Sequence, residues 1–229
     1  MARFMRLDVL QAMIAGGLVP VFYHQELETA KKVAQATALG GARVLEFTNR
    51  GDHAWQLFSE LSRWCAAKRP EIILGAGSII DPGTASLYIN NGANFIVGPC
   101  FSGEVARICN RRKVAYLPGC GSAREISEAE EWGVEICKIF PGGEVGGPAF
   151  VKNMLGPMPW SLLMPTGGVD ATRESISAWF QAGAVCVGIG SKLISEDLIA
   201  AGNYDALAKK TAEVLQWIKE ARSRAAHGN

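Results

Sequence analysis

The sequence predicts a TIM (β/α)8 barrel carrying an N-terminal helix and a C-terminal helix, and three observations predict it. Eight short apolar runs each precede a segment of helical spacing. The runs lack polar alternation, which is the pattern of parallel strands covered on both faces. The first strand-to-helix turn, Tyr23-His24-Gln25, has no glycine-rich dinucleotide fingerprint, so an open doubly wound sheet is the less favoured alternative. With 229 residues, the chain is long enough to bury a sizeable core, and one domain spanning 1–229 is expected.

The elements follow in order. Met5, Val9, Leu10 and Met13 have helical spacing over residues 4–15, and Gly16-Gly17 stops that helix before an apolar strand at 18–23. A second helix at 26–39 ends at Gly40-Gly41, ahead of strand two at 42–48. The alternation continues with helix 53–67, strand 72–75, helix 82–91, strand 95–97, helix 103–111 and strand 114–117. It goes on through helix 123–132, a sixth strand at 134–140, helix 148–155, strand 161–164, helix 171–182 and strand 185–188. Residues 203–222 put Tyr204, Leu207, Thr211, Val214, Leu215 and Ile218 on one helical face, which is expected to cover the barrel's flank.

Charge and composition exclude several classes of partner. Lys plus Arg is 23 against Asp plus Glu at 22, a formal charge of +1 that offers no general affinity for nucleic acid or an acidic membrane. Any anion must be held locally. The six cysteines lie singly, without a C-x-x-C pair or a dense framework, which fits a reducing cytoplasm. Residues 1–18 contain Arg3, Arg6 and Asp8 and no long apolar core, so neither a signal peptide nor a membrane span is expected.

Lys138 is the residue around which the functional reading is organised. Alternation along the sixth strand puts Val134, Ile136, Lys138 and Phe140 on one face, so an ammonium points where apolar groups point. Burial lowers a lysine pKa, and a neutral amine can condense with a carbonyl. A lysine at a strand end also commonly reaches solvent or pairs with a carboxylate. Glu46, near the end of strand two, shares a face with Val44 and Thr48, which is the barrel interior if Leu45 and Phe47 face the helices. From there it can partner Lys138 across the barrel as a structural ion pair, or shuttle protons for carbinolamine and enamine steps.

Reactive groups of such barrels sit at the carboxyl ends of the strands. After strands seven and eight come Thr166-Gly167-Gly168 and Gly190-Ser191-Lys192. Glycines let backbone N–H groups approach a phosphate, and a helix opening at Ser191 would point its positive end there. Arg50 follows Glu46 by four residues, and Gly77-Ser78 and Gly98-Pro99-Cys100 follow strands three and four. A guanidinium fork, a serine hydroxyl and loop amides together suit a carboxylate.

Five segments, Glu46-Phe47-Thr48-Asn49-Arg50, Gly75-Ala76-Gly77-Ser78, Pro118-Gly119, Lys138-Ile139-Phe140-Pro141 and Pro165-Thr166-Gly167-Gly168-Val169, occur in the order and spacing of a known family. The chain resembles the KDPG/KHG aldolases, the 2-keto-3-deoxy-6-phosphogluconate and 4-hydroxy-2-oxoglutarate aldolases, from about Val19 to the final helix. The resemblance implies a metal-free class I aldolase on a TIM barrel, a homotrimer without a cofactor, acting on a small keto acid. By that match Lys138 forms the Schiff base and Glu46 is the general acid/base. Arg50 and Ser78 match carboxylate binders, with Pro99 alongside. Thr166 matches a contact to the aldehyde portion, and Gly167, Gly168, Gly190 and Ser191 match the phosphate end. The implied reaction cleaves a 2-keto-3-deoxy-6-phospho sugar acid to pyruvate and glyceraldehyde 3-phosphate. The alternatives are 4-hydroxy-2-oxoglutarate, a phosphogalactonate, and a sugar-phosphate-binding barrel without turnover.

This chain departs from the family at several positions. Ser78 stands where threonine is typical, Pro99-Cys100 replaces a proline-glycine pair, Lys192 replaces an aromatic residue, and Gly119-Cys120-Gly121-Ser122 is unusual. These changes bear on the substrate more than on the reaction, and Lys192 can reinforce a phosphate or bind a second carboxylate. A metal-dependent aldolase or epimerase is the enzymatic rival. The three histidines, His24, His53 and His227, are not paired at ligand spacing, and His227 is expected in a frayed tail.

Overall fold

The computed structural model of the chain describes residues 2–227, with the side chains of 225–227 outside the description, so the ligand question for the His227 side chain lies outside what is described. The strands, in chain order, are β1 (Leu18–Phe22), β2 (Val44–Thr48), β3 (Ile73–Gly77), β4 (Phe95–Val97), β5 (Ala115–Leu117), β6 (Gly119–Cys120), β7 (Ile136–Ile139), β8 (Leu162–Pro165) and β9 (Val187–Ile189). The helices are α1 (Arg6–Gly16), α2 (Leu27–Leu39), α3 (Ala54–Lys68), α4 (Pro82–Asn90), α5 (Gly103–Arg112), α6 (Ala123–Glu131), α7 (Gly147–Leu155), α8 (Arg173–Gln181), α9 (Glu196–Ala200) and α10 (Tyr204–His227). All described pairings are parallel, in a curled six-stranded sheet ordered β5-β4-β3-β2-β1-β9 and a three-stranded sheet ordered β6-β7-β8.

The expected fifth strand is thus two strands, broken at Pro118. Proline has no N–H to give to a ladder. The chain still continues across it: Leu117 and Pro118 carbonyls accept from Gly98 (3.1 Å) and Lys138 (3.0 Å), and the Gly119 N–H donates to Gly98 (3.0 Å). At the other seam a single parallel bridge joins Thr166 to Gly188. The unusual segment at Gly119-Cys120 is the strand beside Lys138, with Gly119 opposite the lysine in register.

Strand alternation divides the core in two. Val19, Val44, Ile73, Phe95, Leu117, Ile136 and Met164 gather on the concave face with Val9, Leu10 and Met13 of α1, which close its amino-terminal end. Leu45, Phe47, Leu74, Ala76, Cys137 and Ile139 face the helices in the outer layer. Burying a side chain such as Met13, which is fully enclosed, contributes about 1.5–3 kcal/mol relative to leaving it in water.

The loops on the carboxyl side are kept short by helix caps. Asp81 accepts from the Thr84 N–H at 2.8 Å ahead of Pro82, Ser102 accepts from Val105, Ser122 from Glu125, and Thr172 from Ser175. Each such cap is worth about 1 kcal/mol and stops the loop where the helix begins. Residues such as Ser78 and Pro99 are therefore held within a few positions of a strand end.

Candidate active site

Lys138 is carried by β7 between Gly119 on β6 and Met164 on β8, and by alternation it shares the concave face with Ile136. It is 6% exposed, and its Nζ lies 4.7 Å from the centroid of the Phe140 ring. Burial pulls its pKa down from the ordinary lysine value, Glu46 opposes that fall, and Arg50 adds to it. The face assignment inferred for Glu46 holds, because Val44 lies in the concave cluster and Leu45 and Phe47 in the outer one. Glu46 is 1% exposed. Burial pushes its carboxyl up, while Lys138 and then Arg50 act to hold it down.

The two groups sense each other's charge without touching. No ion pair within 4.0 Å joins them, which sets aside the structural salt bridge, and Glu46 Oε2 is buried without a hydrogen-bond partner. A buried polar atom left unpaired is costly and is usually retained for a ligand, a water or a proton transfer. Space for the carboxylate comes from the neighbouring strand: a Cβ on Gly77 would collide with Glu46 Oε1.

Arg50 lies in the exposed loop after β2, where its charge acts on both Glu46 and Lys138. Ser78 follows Gly77 directly and is held at φ +61°, a left-handed backbone rare for serine. Pro99 lies after β4 with its carbonyl against Gly119, the register partner of Lys138. Lys138, Glu46, Ser78 and Pro99 do not line the large cavity at this end of the sheet.

That cavity has a volume of about 740 Å³ and is lined by Arg50, Phe140, Thr166, Gly167, Gly168, Gly190, Ser191 and Lys192, among others. Thr166 is 8% exposed and its hydroxyl has no partner, and a Cβ on Gly188 would run into it. Gly167 and Gly168 both have positive φ, +82° and +74°, and Gly143 donates to the Gly167 carbonyl at 3.0 Å. A Cβ on Gly168 would strike Gly143 at 2.6 Å, so glycine is required there for two loops to approach.

The expected helix opening at Ser191 does not form. The Gly190 carbonyl accepts from both Leu193 and Ile194, each at 2.9 Å, which closes a turn at 191–194, and α9 begins only at Glu196. Its first turn holds Glu196 and Asp197, so no helix dipole is offered at Ser191. Lys192, at the same rim, lies 3.4 Å from Asp170.

Several lining residues carried no role in the sequence reading. Tyr23 and His24 reach the cavity from the end of β1, Phe140 from the lysine strand, and Val33, Ile194 and Ile199 from helices or turns. Tyr23, His24 and Phe140 had a signal, their position at strand ends; the helical residues had none, since only packing brings them in. His24 Nδ1 accepts the Glu26 N–H at 3.0 Å. Among the described residues no three His, Cys, Asp or Glu side chains form a group able to hold a metal ion, and no helix is long and apolar enough to cross a membrane.

Comparison with known proteins gives the family. The family model "KDPG and KHG aldolase" matches residues 9–210. The chain is 29% identical over 207 residues to a KHG/KDPG aldolase of Escherichia coli strain K12, covering 90% of this chain and 94% of that one. It is 32% identical to a 2-dehydro-3-deoxy-phosphogluconate aldolase of Pseudomonas aeruginosa, covering 83% and 84%. Among solved structures, the KDPG aldolase of Legionella pneumophila, with pyruvate captured as a covalent carbinolamine intermediate, superposes with a TM-score of 0.81 at 28% identity, covering 89% of this chain and 96% of that one. A family model matched over most of the chain, with relatives covered nearly end to end, shows that the chain belongs to the KDPG and KHG aldolase family and is a carbon–carbon lyase.

Proposed function

We propose that the chain is a class I aldolase that cleaves a 2-keto-3-deoxy-6-phospho sugar acid, such as 2-dehydro-3-deoxy-6-phosphogluconate, to pyruvate and glyceraldehyde 3-phosphate. The observation that carries this reading is Glu46, buried within the field of Lys138 with Oε2 unpartnered. The Lys138 amine adds to the C2 carbonyl, and the carbinolamine loses water to give an iminium ion. Glu46 takes the proton of the C4 hydroxyl, the C3–C4 bond breaks, and its electron pair moves through C2 to nitrogen as an enamine. The aldehyde leaves. Protonation at C3 and addition of water then release pyruvate and return the amine. Arg50 and Ser78, with Pro99 beside them, receive the C1 carboxylate, and Thr166 the aldehyde portion.

Gly167, Gly168, Gly190 and Ser191 receive the phosphate, a role favoured by the glycine backbone at the cavity wall. A second substrate, 4-hydroxy-2-oxoglutarate, is favoured by a specific observation: Lys192 is engaged with Asp170 and no helix N-terminus opens at Ser191, so neither adds free positive charge at the phosphate end. The finer architecture in this reading is one domain over 1–229 closed as an eight-stranded barrel, for which the Thr166–Gly188 bridge is the support. A homotrimer needing no cofactor, in the cytoplasm, completes it; the family resemblance supports the first two, and six unpaired cysteines support the last.

Borohydride with pyruvate is expected to attach a three-carbon adduct to Lys138, read by peptide mass, and Lys138→Met to abolish it. An unmodified lysine under conditions that trap a control aldolase would leave a binding barrel without turnover. The phosphorylated six-carbon acid is expected to exceed 4-hydroxy-2-oxoglutarate in kcat/KM by at least about tenfold, since a held phosphate contributes binding to the transition state. Equal values would assign the second substrate.

A further inference from the structure

The Arg50 side chain makes no hydrogen bond or ion pair among the described residues, so its position is set by the backbone of residues 49–51. That backbone is held at four points. The Asn49 N–H extends the β2–β3 ladder by donating to the Gly77 carbonyl at 2.8 Å, and the Arg50 N–H donates back to Thr48 at 3.0 Å. Gly51 lies under Tyr23, whose hydroxyl occupies the space a Cβ would need. The fourth point is a side-chain hydrogen bond. Tyr88, on α4, donates its hydroxyl to Asn49 Oδ1 at 2.9 Å. Tyr88 is fully enclosed, and its ring meets Phe58 edge-on with centroids 4.9 Å apart. The hydroxyl is thus delivered by a part of the core that cannot shift without repacking α3 against α4.

We propose that Tyr88 is a positioning residue for Arg50: its hydrogen bond to Asn49 fixes the loop after β2, so that the guanidinium meets the substrate carboxylate without first being ordered. This rests on the reading of Arg50 as the carboxylate binder. A loop ordered in advance spares the substrate that ordering cost, so losing the bond weakens carboxylate binding while the lysine chemistry is left intact.

The test runs in the aldol-addition direction, where pyruvate and the acceptor aldehyde have separate KM values. Tyr88→Phe is expected to raise KM for pyruvate about five- to tenfold, the scale of one ordinary hydrogen bond, with kcat within about twofold and KM for the aldehyde unchanged. Asn49→Ala removes the same bond from the exposed side of the loop and is expected to match it, which covers the case of a misfolded Tyr88 variant. In an Arg50→Ala background Tyr88→Phe is expected to add nothing further, because both act on one contact. If Arg50→Ala raises KM for pyruvate while Tyr88→Phe and Asn49→Ala only lower Tm, Tyr88 is structural and the proposal is overturned. An unchanged KM in Arg50→Ala would instead overturn the reading of Arg50 itself.

Discussion

At the residue scale the central fact is that a carboxyl and an ammonium are buried near one another without forming a pair. Burial moves each toward its neutral form, raising Glu46 and lowering Lys138. A neutral amine attacks a carbonyl, and a carboxylate of raised pKa is a stronger base than an ordinary one. The pH dependence follows with its sign. The rate of borohydride trapping with pyruvate is expected to rise with pH through an inflection below the ordinary lysine value of 10.5, where the free amine appears. Because Arg50 lowers the Lys138 pKa, Arg50→Ala is expected to move that inflection up; because Glu46 raises it, Glu46→Gln is expected to move it down. Glu46→Gln is also expected to keep the trapped adduct while slowing cleavage by about 10²–10⁴-fold. Near-normal turnover in that variant would remove Glu46 from its role. Lys138 and Glu46 were legible in the sequence because each is a charge inside an otherwise apolar strand run. Their separation was not, because it depends on the curvature between strands remote in the chain.

At the element scale, adjacent strands make room for one another. Gly77 on β3 stands at the place Glu46 on β2 needs, so Gly77→Ala is expected to displace the carboxylate. Overpacking of this kind costs about 1–3 kcal/mol. The expected outcome is reduced kcat in steady-state assays with adduct formation retained. Gly16→Ala, at the end of α1, meets nothing within 4 Å and is expected to leave kcat unchanged. The sequence pattern predicts the alternation of strand and helix, and two junctions differ from it. The strand expected at 114–117 resumes after Pro118, because the ladder's continuation rests on the Pro118 carbonyl and Lys138. Glycine and serine at 190–191 fit a helix start, but the Gly190 carbonyl closes a turn and defers α9 to the Ser195 cap.

At the scale of the whole molecule, one long helix joins the two ends of the chain. Arg222 on α10 donates from Nη1 to Ala15 (2.9 Å) and from Nη2 to Ile14 (2.6 Å) and Val185 (2.7 Å), and it lies 5.1 Å from the Phe180 ring. It thereby fastens α1, the approach to β9 and α8 at the amino-terminal side of the sheet, away from Lys138. Arg222→Ala is expected to cost about 2 kcal/mol through charged hydrogen bonds lost together, lowering Tm by roughly 4–8 °C in a melting experiment. Turnover at moderate temperature is expected to stay unchanged. A parallel loss of kcat would mean that the two ends of the sheet are coupled.

The sequence by itself determined the alternation of strand and helix, the faces on which Lys138 and Glu46 lie, and the glycine loops after the last two strands. These follow from local periodicity and from backbone conformations that only certain residues adopt. The tertiary structure decided what no local pattern encodes: that Lys138 and Glu46 are buried without forming an ion pair, that Thr166 is unpartnered beside Gly188, and that Tyr88 reaches Asn49. Those depend on distances between residues brought together only by closing and packing the sheet, and a sequence pattern holds periods, not distances.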